Sequence, residues 1–237
     1  RESLSYYCRP EFLDEKKAGC RIDVEELYHP LLTHPVANSL YAEGGILLTG
    51  SNASGKSTFM KNMAVNAILA QTLNTSLSKR YRGVVCRIMT SLAQGESYFV
   101  VEVKSLKRIL EASREKTPLL CVIDEVLRGT NTTERIAASE SVLAALRRAN
   151  VLCLAATHDT ELTYLLEDLY TNYHFEEQIT AQSISFPYRL EQGPARGKNA
   201  IALLGNMGID EKIVKQAERR AAEFETTGSW EKNKFLR

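Results

Sequence analysis

The segment Gly50-Ser51-Asn52-Ala53-Ser54-Gly55-Lys56-Ser57 fits the pattern G-x-x-x-x-G-K-[ST], and it constrains this chain more than any other segment. Before it runs Gly45-Ile46-Leu47-Leu48-Thr49, an apolar stretch of buried-strand type. After it, Thr58 to Gln71 carries apolar residues at helical spacing. A strand that feeds a glycine loop, which in turn opens a helix, is the context a phosphate-binding loop requires. The glycines let backbone N–H groups turn inward around a phosphate, and the new helix directs its positive end at it. Lys56 is placed to neutralise charge on the β- and γ-phosphates of a nucleotide, and the Ser57 hydroxyl to ligate Mg²⁺.

The rest of the chain repeats the strand–helix alternation. Leu119-Leu120-Cys121-Val122-Ile123 and Val151 to Ala156 are continuous apolar runs, the mark of strands covered on both faces. Gly83 to Met89 is strand-like, Ser78 to Arg82 reads as a basic loop, and Ser91 to Ser97 as a polar loop. Helices are predicted at Phe99 to Ser113, with Val100, Val103, Leu106 and Leu110 on the covered face, at Thr132 to Arg148, and briefly at Thr160 to Leu169. Tyr173 to Ile179 and Ile184 to Leu190 alternate as an antiparallel hairpin would. Arg1 to His29 reads as an irregular lead-in with one strand, followed by proline-punctuated loops around Pro30 and Pro35. Two helices, Lys198 to Leu204 and Asp210 to Phe224, close the chain around a Gly205 to Gly208 turn. The pattern predicts an α/β fold: a mostly parallel sheet flanked by helices over residues 1–197, and a small helical appendage over 198–237.

Composition narrows the function classes. The 237 residues carry a net charge of +1, so no global field draws the chain to nucleic acid or acidic lipid, and direct DNA binding is expected to be weak. No apolar run approaches the length of a membrane span, so no membrane contact is expected. The five cysteines are scattered without a C-x-x-C pair, which suits a reducing cytoplasm, and Cys121 and Cys153 fall inside core strands. The chain starts at Arg1 rather than Met, as a domain cut from a longer protein would.

Chemistry collects at the ends of the predicted strands. Asp124 and Glu125 follow the Leu119 strand directly. The first carboxylate suits a Mg²⁺ site and the second a general base that aligns an attacking water. Thr157-His158-Asp159 follows the Val151 strand and places His158 to sense the terminal phosphate. Arg128 to Thr133 is small, polar and flexible with a basic head, and Thr132 or Thr133 caps the next helix with Glu134 in its first turn. Ser97 lies at the start of the Phe99 helix, where a hydroxyl with free N–H groups either caps the helix or binds an anion.

Taken together, these blocks resemble a family. T-G-S-N-A-S-G-K-S-T (Thr49 to Thr58), L-A-Q-G-E-S-Y-F (Leu92 to Phe99), D-E-V-L-R-G-T-N-T (Asp124 to Thr132), A-T-H-D-T-E-L (Ala156 to Leu162) and G-N-M-G-I-D-E-K-I-V-K-Q-A (Gly205 to Ala217) are similar to the C-terminal ATPase domain of the MutS mismatch-repair family, within the ABC-type ATPases. The resemblance runs from Leu27 to about Phe224. It implies ATP and Mg²⁺ as ligands and a head-to-tail homodimer with composite sites. It places Pro35 and Val36 against the adenine and Asn52 on phosphate or the interface. Thr58 closes the phosphate loop, Ser97 reaches the γ-phosphate of the opposite subunit, and His158 is the switch histidine. The closing helices would form a helix-turn-helix dimerisation element.

Departures accompany the likeness. Ser51, Ala53 and Ser54 stand where the family's loop has Pro, Met and Gly; Tyr98 follows Ser97 where it has Thr; Leu127 precedes Arg128 where it has Gly; and the usual acidic pair before Leu92 is missing. They imply a divergent branch rather than a housekeeping repair protein. The resemblance points to an ATP-hydrolysing dimer whose nucleotide state regulates a DNA-bound clamp, with repair-protein partners and with DNA held by regions outside this chain. A transport-type ABC ATPase subunit and a nucleotide-gated dimerisation scaffold are the alternatives. The first is disfavoured by the absence of an L-S-G-G-Q-like signature, the second by Glu125.

Overall fold

The computed structural model describes residues 6–92, 99–127, 129–179, 184–195 and 200–232. In chain order the elements are β1 (Glu11–Phe12), α1 (Glu15–Ala18), β2 (Arg21–Leu27), β3 (Asn38–Glu43), β4 (Gly45–Gly50), α2 (Lys56–Leu73), β5 (Arg80–Gly83), β6 (Arg87–Leu92), α3 (Phe99–Ala112), β7 (Leu119–Asp124), α4 (Thr132–Ala145), β8 (Val151–Ala156), α5 (Glu161–Leu165), β9 (Tyr170–Phe175), β10 (Gln178–Ile179), β11 (Ile184–Ser185), β12 (Leu190–Gln192), α6 (Ala200–Asn206) and α7 (Glu211–Thr227). The fold is mixed α/β. Two compact units can be described: Arg1–Glu176 with Pro187–Ala195, and Glu177–Phe186 with Arg196–Arg237.

The first unit is built on a six-stranded sheet of order β12-β9-β4-β8-β7-β6. Every pairing from β9 across to β6 is parallel, and only the edge strand β12 runs antiparallel. The apolar runs of β4, β7 and β8 form its centre, because a strand covered on both faces needs apolar side chains at every position. One face packs on α2 and on a four-stranded sheet, β1-β5-β2-β3, through Phe59, Met60, Met63, Ile22, Leu40 and Tyr81. The other face is covered by α3, α4 and α5 through Leu106, Ile109, Leu143 and Leu162. Cys121 and Cys153, side by side in the β7–β8 register, are fully enclosed there. All parallel strands end at the same edge, where β4, β7 and β8 deliver Gly50, Asp124 and Ala156.

Several sequence expectations are corrected. Ser78 to Arg82 is not simply a loop: β5 begins at Arg80, because its charged residues pair with neighbouring carboxylates while Tyr81 enters the core. The lead-in holds two strands and a short helix, and the loops after it end in β3. The expected Tyr173–Leu190 hairpin divides. Strand β9 lies parallel to β4 and takes β12 as its antiparallel neighbour, while β10 and β11 pair separately. Helix α3 buries Leu106, Ile109 and Ala112, leaving Val100 and Val103 exposed. Helix α4 is capped by Asn131, whose Oδ1 accepts the Thr133 N–H at 2.9 Å, rather than by Thr132 or Thr133.

In the second unit, α6 and α7 are joined by a turn in which Gly208 takes φ +80°. Val214 packs near Gly205, Asp210 caps α7, and Phe224 stacks on Trp230 at 4.5 Å. Among the described residues no helix is long and apolar enough to cross a membrane.

Candidate nucleotide site

The Gly50–Ser57 segment bends around its own lysine. Lys56 Nζ donates to the Gly50 and Ser51 carbonyls at 2.7 and 2.8 Å, and the residue is buried. The bend requires left-handed backbone at Gly50 (φ +133°), Ala53 (φ +67°) and Gly55 (φ +114°). At Gly50 glycine is also required for space, since a Cβ would lie 2.3 Å from the Phe175 carbonyl oxygen. Gly55 is the N-cap of α2, so the free N–H groups of the first helical turn open into the loop.

A cleft of about 400 Å³ lies over this loop. Its floor is Ser51, Asn52, Ala53, Ser54, Gly55, Lys56, Ser57 and Thr58, with Glu125 beside them. Its walls are residues with no motif to announce them: His29, Leu32, His34, Asn38, Asn62, Phe175 and Tyr188. Of the expected pair Pro35 and Val36, only Val36 lines the cleft. Asn38 ties two walls together: its Nδ2 donates to the Tyr188 carbonyl at 3.0 Å and its Oδ1 accepts the Leu190 N–H at 2.8 Å. Burial, with Lys61 nearby, holds the His29 imidazole below its ordinary pKa.

Behind the loop stand the strand-end residues. The Asp124 Oδ1 and Ser54 Oγ atoms are buried and have no hydrogen-bond partner among the described residues. An anionic oxygen enclosed in this way fits a cation, because without one its desolvation is uncompensated. Ser57, on the cleft floor, supplies a second oxygen of the hard type that Mg²⁺ takes. Glu125 and Leu127 both hold left-handed backbone (φ +56°), a strained arrangement for side-chain-bearing residues. Glu102, in the first turn of α3, steadies that turn by accepting the Leu127 N–H. Burial, partly offset by this bond, raises the Glu102 pKa. Glu125 Oε1 lies 2.8 Å from His158 Nε2, so the two side chains work as a pair. His158 is in turn fixed by its neighbour: Asp159, buried, takes a two-pronged ion pair from Arg135 at 2.6 and 2.7 Å.

The structure therefore gathers Lys56, the loop residues, Val36 and Glu125 around one cleft, with His158 on Glu125 and Asp124 next in sequence. Pro35 does not line it. Ser97 and Arg128 lie outside the described residues. Glu102, Arg135, Asn38 and Tyr188 were not singled out from the sequence. A carboxylate in a first helical turn or a lone Asn carries no signal until its distant partner is seen.

Comparison with known proteins bears on this site. A family model described as MutS domain V matches residues 46–225. The chain is 32% identical over 222 residues to the DNA mismatch repair protein MutS of Thermus aquaticus, covering 89% of this chain and 26% of that protein. It is 33% identical over 222 residues to MutS protein homolog 4 of Mus musculus, covering 83% of this chain and 22% of that protein. It is 32% identical over 216 residues to the DNA mismatch repair protein MutS of Persephonella marina, covering 84% of this chain and 25% of that protein. The chain thus spans about a quarter of the length of these relatives. These findings correct the resemblance drawn from the motifs. What they support is membership of the MutS family through its domain V, over residues 46–225. The expected divergent branch is also overturned, because proteins named for DNA mismatch repair match as closely as the homolog 4 protein does.

Proposed function

The chain belongs to the MutS family, and on that premise we propose that it is a domain that binds and hydrolyses ATP with Mg²⁺. The observation that carries this reading is the Gly50–Ser57 loop, folded around Lys56 and sharing one cleft with Glu125, to which His158 is hydrogen-bonded. The N–H groups of the loop and of the first turn of α2 would hold the phosphates, with Lys56 turning from the loop carbonyls to phosphate oxygens. Val36 and Tyr188, which line the cleft, would border the base. Ser57 and Asp124 would hold Mg²⁺, which when bound neutralises phosphate charge. Glu125 would accept a proton from the attacking water, and His158, hydrogen-bonded to Glu125, would orient it and report on the terminal phosphate.

The remaining assignments belong to the same proposal. The fold is that of a P-loop ATPase of the ABC type over residues 1–197, and residues 198–237 form a helical dimerisation element. Two copies associate head to tail when ATP is bound, each giving Ser97 to the other's nucleotide. In a longer cytoplasmic protein this cycle would regulate a clamp on DNA, with DNA and repair partners held largely by other regions. Lys56→Ala tests the reading at its base. Equilibrium binding of a fluorescent ATP analogue should weaken at least about 30-fold, since loss of a phosphate-paired lysine costs about 2 kcal/mol or more. Unchanged affinity would remove the loop from nucleotide binding.

A further inference from the structure

Strand β9 alternates, so Phe175 turns into the core beneath the nucleotide cleft while His174 turns to the opposite face of the sheet. His174 is 8% exposed, and a polar ring so enclosed needs partners for its nitrogens. Nδ1 lies 3.0 Å from the Gly193 carbonyl oxygen. A carbonyl only accepts, so Nδ1 carries the hydrogen and Nε2 is the ring nitrogen left to take a ligand. That nitrogen makes no hydrogen bond among the described residues; Glu176 Oε2 stands 4.0 Å from it. Glu191 lies directly across from His174 in the β9–β12 register. Ligand atoms of His174, Glu176 and Glu191 all fall within 4.8 Å of one another.

The spacing separates two accounts of this cluster. A direct hydrogen bond between imidazole and carboxylate would draw nitrogen and oxygen to about 2.8 Å. Donors sharing a tetrahedral ion at about 2.1 Å stand roughly 3.4 Å apart, nearer the observed separation and within reach of small rotations of the solvent-facing glutamates. The backbone carbonyl that fixes Nδ1 is the orienting contact a metal-binding histidine ordinarily has. One imidazole with two carboxylates suits zinc or a neighbouring first-row divalent ion better than magnesium, which takes oxygen ligands.

We propose that His174, Glu176 and Glu191 form a divalent transition-metal site, with Zn²⁺ its best-fitting ion and water completing the coordination. None of the three takes part in the nucleotide chemistry above. The ion clips β12, an edge strand of three residues, to β9. Two residues before β12, Tyr188 lines the nucleotide cleft, and Asn38 holds that same segment from the other side. Metal bound here therefore steadies one wall of the cleft without entering it.

The test is a titration of the metal-stripped, nucleotide-free chain with zinc chloride against a chromophoric zinc chelator, alongside thermal melting. The parent should take up zinc at one site and melt higher with zinc present. His174→Gln, which keeps a donor for the Gly193 carbonyl, and Glu191→Gln should each weaken uptake roughly tenfold or more, since loss of even an outer-shell partner has that effect. Glu191→Gln alters a surface residue and serves if the histidine variant fails to fold. Zinc uptake untouched by Glu191→Gln places the ion elsewhere and overturns the proposal. So does an absence of uptake by the parent at about 10 µM free zinc, where a three-ligand site would be filled.

Discussion

Arg135 reaches from the first turn of α4 to Asp159, next to His158, and its removal is the most informative single perturbation of this site. In Arg135→Met the Asp159 carboxylate, 9% exposed at its side chain, loses both prongs of its ion pair and stays enclosed. Opposite charges about 4 Å apart attract by about 4 kcal/mol at the effective dielectric constant near 20 that suits such sites. The guanidinium is 21% exposed, so water screens part of this. The unfolding free energy should therefore fall by about 2–4 kcal/mol, a large share of the 5–15 kcal/mol that holds a typical domain. Urea denaturation measures it. The double variant Arg135→Met, Asp159→Leu removes the stranded charge as well and should recover about half the loss, so that the two changes are strongly non-additive. ATP turnover should fall with the single change, because His158 loses the anchor of its loop. A single variant within about 0.5 kcal/mol of the parent, or strict additivity in the double variant, would refute the argument that this pair is enclosed and structural.

Two further predictions concern residues that the structure brings to the site. Because the His29 imidazole is held below its ordinary value of 6.5, the unfolded chain binds more protons there as the solution turns acid. Stability from the neutral ring is complete above about pH 6.5 and is lost as pH falls through the lower folded value, so His29→Gln should flatten the acid limb of a stability–pH profile; an unchanged limb refutes it. Glu102 acts by holding the turn that carries Glu125. Glu102→Ala should lower kcat about tenfold, the worth of one lost hydrogen bond of about 1.4 kcal/mol, with KM little changed, whereas Glu102→Gln, which keeps an acceptor for the Leu127 N–H, should restore most of it. Equal loss in both variants would show that the backbone contact does not position the base.

The parts legible in the sequence are those whose physics is local. Ile46 to Leu48, Leu119 to Ile123 and Val151 to Ala156 declare strands covered on both faces, because no solvated strand tolerates such runs. Gly50, Gly55 and Lys56 declare their loop for similar reasons. Strand β5 escaped notice because Arg80 and Arg82 look like loop residues until Asp23 and Glu11 are seen beside them. The apolar start of α3, from Phe99 to Val103, suggested a covered face by periodicity alone, yet those side chains are exposed and the packing begins at Leu106. The walls of the cleft were illegible for a related reason. His29, Asn38 and Tyr188 come from distant stretches of chain and meet only through tertiary structure.

The central claim is that Glu125 is the base of a Mg-dependent ATPase, and single-turnover hydrolysis of Mg-ATP by the parent and by Glu125→Gln tests it most directly. The account predicts that the variant binds ATP within about threefold of the parent and hydrolyses it about 100-fold or more slowly, the usual worth of a positioned general base. Hydrolysis at the parental rate in the variant, or no Mg-dependent hydrolysis by the parent, would contradict it.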